Sequence, residues 1–193
     1  MTEITDLKVY DLKESIIACR NSMRIVPAEN TEEEFEQSLE RAKKLVKQGN
    51  GHDNFLCGIR VSFNLKYPNY LSPELQRYNW VDIVNSSSKM HRLAQIAEDD
   101  GFNKYVDEET KGYIRFLADK YNNDKTYENF ITMVSNCPIG LELFMRVSTN
   151  YLQLKTIYKQ RNHHKLKEDW GAICSMIEGL PYSELIINKQ LRE

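Results

Sequence analysis

Residues 51–66 read GHDNFLCGIRVSFNLK, and this is where the chain changes period. Ile59, Val61, Phe63 and Leu65 alternate with Arg60, Ser62, Asn64 and Lys66, the mark of a strand with one buried and one wet face. Pro68 ends that run. Upstream the repeat is helical: Thr31-Glu-Glu-Glu34 has the spacing of a capping box. Behind it Phe35, Leu39, Ala42, Leu45 and Val46 form one apolar stripe, closed by Gly49. A strand flanked by amphipathic helices predicts a mixed fold rather than an all-helical one.

Downstream, Ser72-Pro73 supplies an N-cap and a first-turn proline for a short helix through Leu75 and Tyr78. Val81, Ile83 and Val84 read as a brief strand. Helical spacing returns over 107–121 and 127–133, and Pro138 breaks the chain. From Leu141 to Arg161 the apolar positions suit either one long helix or a strand followed by a helix. Residues 168–180 read as a last helix, stopped by Gly179 and Pro181. The expectation is one α+β domain over residues 1–193, with a small, mostly antiparallel sheet packed against several helices.

The chain has 193 residues, large enough for one well-buried core. Its formal net charge of −2 supplies no global field for nucleic acid or anionic lipid, so anion binding has to be local. No apolar run approaches the ~20 residues of a membrane span, and the acidic start MTEITDLKVYDLKE lacks secretory-signal order. Cys19, Cys57, Cys137 and Cys174 are scattered singly, with no CxxC pair for zinc. Unpaired thiols fit a reducing compartment, so a cytoplasmic protein is expected.

Three short stretches carry candidate chemistry. In NSSSKMHR, residues 85–92, consecutive hydroxyls at a loop-to-helix junction suit a phosphate, with Lys89 or Arg92 adding charge. They equally suit a serine N-cap for the helix carrying Met90, Leu93, Ile96 and Ala97. Gln76-Arg77-Tyr78-Asn79-Trp80 has the aromatic and amide groups that sandwich and read a base, although Tyr78 and Trp80 also fit a core. In RNHHK, residues 161–165, adjacent histidines do not face one another on a helix, which disfavours a metal pair. Its default is a solvated helix end, but Arg161 has the fork to clamp a phosphate or a ring edge.

Taken in order, these pieces resemble the flavin-dependent thymidylate synthases along most of the chain. Ala18-Cys-Arg20-Asn-Ser22 is similar to that family's A-x-R-x-S segment, and Gly51-His52 to its G-H-x-x-x-x-E-H segment. Asn150 through Arg161 keeps the eleven-step interval of N-A-R-S-L…R. Gln76, Asn85 and Ser88 fall where R-H-R-x-x-S-x-N-E-x-S-x-R-Y and its preceding glutamine belong. The departures lie at the charged positions. The R-H-R triplet has no counterpart among Arg77, Tyr78, Asn79 and Trp80. The glutamate after Gly-His falls at Cys57, the glutamate after the signature asparagine at Ser86 and its last arginine at Met90. The arginine two beyond Asn150 is Leu152.

The resemblance implies an enzyme that moves a one-carbon unit to C5 of dUMP or a related pyrimidine nucleotide. FAD is the implied cofactor, with NADPH and methylenetetrahydrofolate as co-substrates, in a cytoplasmic homotetramer whose sites combine residues of several subunits. The implied substrate-binding residues are Gln76, Ser86, Ser87, Ser88, Lys89, Arg92 and Arg161; those toward the cofactor are Ser22, His52, Arg77, Asn150 and Lys165. No protein thiol serves as nucleophile in such a mechanism, so no catalytic residue is assigned to Cys57. The alternative is a nucleotide-binding, non-catalytic homologue that kept the fold and lost flavin chemistry.

Overall fold

The structure is a computed structural model and describes residues 1–187. In chain order it comprises β1 (Glu3–Tyr10), α1 (Leu12–Ala18), α2 (Glu32–Gln48), β2 (Arg60–Pro68), α3 (Ser72–Leu75), β3 (Asp82–Ser86) and α4 (Lys89–Glu98). It continues with α5 (Glu108–Asn123), α6 (Tyr127–Ser135), β4 (Glu142–Asn150), α7 (Tyr151–Arg161) and α8 (Lys167–Glu178). The strands form one antiparallel sheet in the order β1-β2-β4-β3. This is the α+β class that the alternation at 59–66 predicts.

That alternation decides which face is covered. Val61, Phe63, Leu65 and Tyr67 of β2 and Leu143, Met145 and Val147 of β4 are buried. They pack with Leu75, Leu154, Ile157 and Ile173, so α3, α7 and α8 cover the inner face. Asn64, Lys66 and Phe144 point to the open face, where Arg146 ties β4 to the β1 bulge by donating to the Asp6 carboxylate at 2.8 Å.

The ambiguous run 141–161 resolves into a strand and a helix, and Asn150 is the hinge between them. It pairs with Arg60 at the end of β4. Its side-chain oxygen then accepts from the Gln153 N–H at 2.9 Å, which makes it the N-cap of α7.

Two readings need correction. Thr31 does cap α2, accepting from the Glu34 N–H at 3.2 Å, but Glu34 does not reach back to complete a box. Its carboxylate instead binds Arg24, Arg20 at 2.8 Å and Ser38 at 3.0 Å. An ion pair with two guanidiniums outcompetes one backbone amide. The helix after Ser72 is only one turn long, and Tyr78 lies beyond it.

Candidate functional site

α7 presents a polar stripe. Gln153, Thr156 and Gln160 recur at steps of three and four and so lie on one face of the helix, ending at Arg161. With Arg77, Tyr78 and Asn79 from the segment after α3 they line a cavity of about 470 Å³. Its lining carries two guanidiniums, three carboxamides and no carboxylate.

Arg161 is held firmly. Its Nε donates to the Tyr78 hydroxyl at 2.7 Å, and its Nη1 lies 3.1 Å from Glu74 Oε2. The guanidinium carbon sits 4.6 Å from the centre of the Trp170 ring and 5.6 Å from that of Tyr78. Tyr78 in turn donates to Gln160 Oε1 at 3.0 Å. Trp170 is fully buried and stacks edge-on against Tyr78. A long side chain that would otherwise sample many rotamers is thereby fixed, reducing the entropy cost of binding an anion or a ring edge. Tyr78 thus serves both as core and as part of the site, whereas Trp80 is 61% exposed and outside it.

The other nominated residues lie elsewhere. Ser87, Ser88 and Arg92 line a second cavity of about 420 Å³ with His91, Gln95 and Phe144. Ser86 and Asn85 line a third, of about 510 Å³, on the open face of the sheet beside Lys66 and Arg146. Ser87 is already engaged: its N–H donates to the Phe144 carbonyl at 2.9 Å and its hydroxyl accepts from the Phe144 N–H at 3.0 Å. Ser88 stands at the N-cap position of α4 without a side-chain cap bond. Arg92 is exposed and bonds Gln95; Lys89 is half-buried in the first turn of α4.

Gln76 is exposed and donates back to Ser72 at 3.2 Å. Ser22, His52 and Lys165 are exposed and line none of these cavities, and Asn150, 2% exposed, is occupied as the α7 cap.

Within one protomer, therefore, the sequence-nominated substrate residues do not gather, and of the cofactor set only Arg77 reaches the Arg161 cavity. The geometry explains why. Ser87 pairs near the start of β4, whereas α7 departs from its end, six residues later (144 to 150) and roughly 20 Å along the strand. Gln153, Gln160, Glu74 and Trp170 were not singled out from the sequence, although the polar stripe on α7 is a visible signal for the first two.

The thiols are not poised for attack. Burial raises the pKa of Cys19, Cys137 and Cys57, with the Asp53 carboxylate adding to the effect at Cys57, and pushes Cys174 to about 11. Among the described residues no cluster of three or more His, Cys, Asp or Glu suits a metal ion, and no helix is long and apolar enough to cross a membrane.

No known family's sequence pattern matches the chain, and none of the curated proteins matches it in sequence. Solved structures do match. One is flavin-dependent thymidylate synthase ThyX from Helicobacter pylori complexed with FAD and dUMP, at a TM-score of 0.75 and 16% identity, covering 95% of this chain and 97% of that one. A second structure of ThyX from that organism with FAD and dUMP superposes at 0.71 with 14% identity, over 99% and 100% of the chains. The UMP/dUMP methylase PolB from Streptomyces cacaoi, bound with 5-Br dUMP, superposes at 0.66 with 11% identity, over 95% and 92%. The chain has the ThyX fold in a divergent sequence.

Proposed function

We propose, taking the ThyX fold as premise, that this chain binds a pyrimidine nucleoside monophosphate of the dUMP class between Arg77 and Arg161, and that it modifies the base at C5. The observation that carries the reading is the pre-set guanidinium of Arg161 at the head of a carboxamide-lined cavity. The arginines supply charge-assisted donors, each worth on the order of 1.5–3 kcal/mol. Asn79, Gln153 and Gln160 offer the paired donors and acceptors that match the edge of a uracil ring. The fold's solved relatives hold dUMP or 5-Br dUMP, which supports this ligand class.

The state of the thiols bears on the chemistry. A C5 modification that began with a cysteine adding to the ring would need a thiolate, and desolvation raises the pKa of all four cysteines, which disfavours one. As the resemblance implies, FAD reduced by NADPH would supply the hydride and methylenetetrahydrofolate the carbon. One protomer does not form a flavin seat from Ser22, His52, Arg77, Asn150 and Lys165, so the proposal requires neighbouring subunits of a homotetramer to complete it. The same holds for bringing Gln76, Ser86, Ser87, Ser88, Lys89 and Arg92 to a nucleotide at Arg161.

One set of observations favours a second reading, a nucleotide-binding homologue without redox chemistry. Asn150 is consumed as a helix cap, Leu152 stands half-buried at an arginine position of the family, and Tyr78 is committed to the core. Ligand-induced stabilisation separates the two. A ligand at a hundred times its Kd raises stability by about 2.7 kcal/mol. The enzyme reading expects thermal shifts with both dUMP and FAD, a flavin absorption band, and tritium release from C5-labelled dUMP. A shift with dUMP alone supports the binding protein. No shift with either nucleotide contradicts both.

A further inference from the structure

Glu74 plays no part in the resemblance, yet it is the most heavily used carboxylate near the cavity. One of its oxygens, Oε2, accepts from the Trp170 indole N–H at 2.8 Å and pairs with Arg161 Nη1 at 3.1 Å. His164 Nε2 stands 3.7 Å from the same atom, and His164 Nδ1 accepts from the Leu166 N–H at 3.2 Å, which leaves the ring proton on the nitrogen facing Glu74. Glu74 itself belongs to α3, whose Pro73 fixes the first turn. Its anchor Trp170 is fully buried in α8. Three elements, α3, α7 and α8, are thus tied at one oxygen atom, and the guanidinium is clamped between that oxygen and the indole face.

Resting on the nucleotide-binding reading above, the geometry points to Glu74 as the positioning residue for Arg161. With Trp170 it fixes the plane of the guanidinium, so that Arg161 meets the nucleotide as a directed donor and not as a mobile charge. Glu74 does not line the cavity. Its effect runs through Arg161. This distinguishes it from a carboxylate that merely holds α3 against α8, because a structural tie would act on stability without caring which residue occupies position 161.

The test is a double-mutant cycle of dUMP affinity by titration calorimetry, using Glu74→Gln, Arg161→Gln and the double variant. Glu74→Gln keeps the shape and an acceptor for Trp170 but removes the charge. Its dUMP Kd is expected to rise about tenfold, the effect of degrading one charge-assisted contact. In the Arg161→Gln background the same change is expected to shift Kd by less than about twofold. Equal effects in both backgrounds, or no effect in either, overturn the proposal. If Glu74→Gln does not fold, Glu74→Asp, which retracts the carboxylate by one methylene, replaces it with the same expectations.

A second arm needs no nucleotide. The chain has two tryptophans, so Trp80→Phe leaves Trp170 as the sole reporter. Glu74→Gln and Arg161→Gln are each expected to shift its emission, with the double variant shifting it no further than the larger single change. Additive shifts overturn the proposal. Failure of the unmodified protein to bind dUMP removes the nucleotide reading instead, and the emission arm then decides alone whether Glu74 holds Arg161.

Discussion

Replacing Asn150 by alanine separates a structural role from a cofactor role at a single atom. Asn150 Oδ1 accepts from the Gln153 N–H at 2.9 Å, and both residues are buried, at 2% and 8% exposure. Asn150→Ala removes an N-cap, which costs about 1 kcal/mol and up to about 2. The freed Gln153 N–H has little access to water, which places the loss toward the upper end of that range. In a chain of this size each kcal/mol lowers Tm by about 2–4 °C, so a fall of roughly 2–8 °C is expected by calorimetry. The urea midpoint should drop with the slope unchanged, because the surface exposed on unfolding is the same. Asn150→Ser, itself a favoured cap, should recover most of the loss. An Asn150→Ala variant with unaltered stability but reduced flavin content would refute the cap assignment and restore Asn150 to the cofactor site.

Three further outcomes are expected. Arg24 and Arg20 hold the Glu34 carboxyl below its ordinary 4.5, so its contribution is present above that pH and lost as pH falls; Glu34→Gln should flatten the acid limb of a stability–pH curve. An unchanged limb would contradict the pairing. Burial raises the Cys174 thiol from 9.0 to about 11, so its contribution is full below pH 9 and lost as pH rises toward 11. The alkaline slope should therefore be shallower in Cys174→Ala by chemical denaturation, and an identical slope would count against that burial. Cys57→Ser should leave dUMP affinity within about twofold, as for a surface change away from the site; loss of turnover with affinity retained would instead make it a nucleophile.

Much of the architecture is legible in the sequence where short-range physics decides it. β2 is readable because one face is buried and the other wet, and α2, α5 and α6 begin at side-chain caps on Thr31, Asp107 and Thr126. β1 is hidden by its own geometry. Asp6 adopts φ 48°, and the pairing slips between Thr5 and Lys8, so the bulge destroys the alternation that would reveal a strand. The run 141–161 is ambiguous because one asparagine ends the strand and starts the helix, with no glycine or proline between them.

The site is less legible than the fold. Arg161 and Arg77 are nameable from sequence, but their convergence depends on α7 crossing behind the sheet, and the ordering of Arg161 depends on Glu74 and Trp170, 87 and 9 residues away along the chain. The hydroxyls of residues 85–92 are visible in the sequence, but their partners are not. Pairing of Ser87 with Phe144 is a long-range event that local sequence does not encode.

The central claim is that a pyrimidine nucleotide sits between Arg77 and Arg161. The most direct measurement is a crystal structure of the protein soaked with dUMP. The account expects difference density for the nucleotide in contact with the Arg161 guanidinium and a carboxamide of Gln153, Gln160 or Asn79. Ordered dUMP at another location, with the Arg77–Arg161 cavity filled by solvent alone, would contradict it.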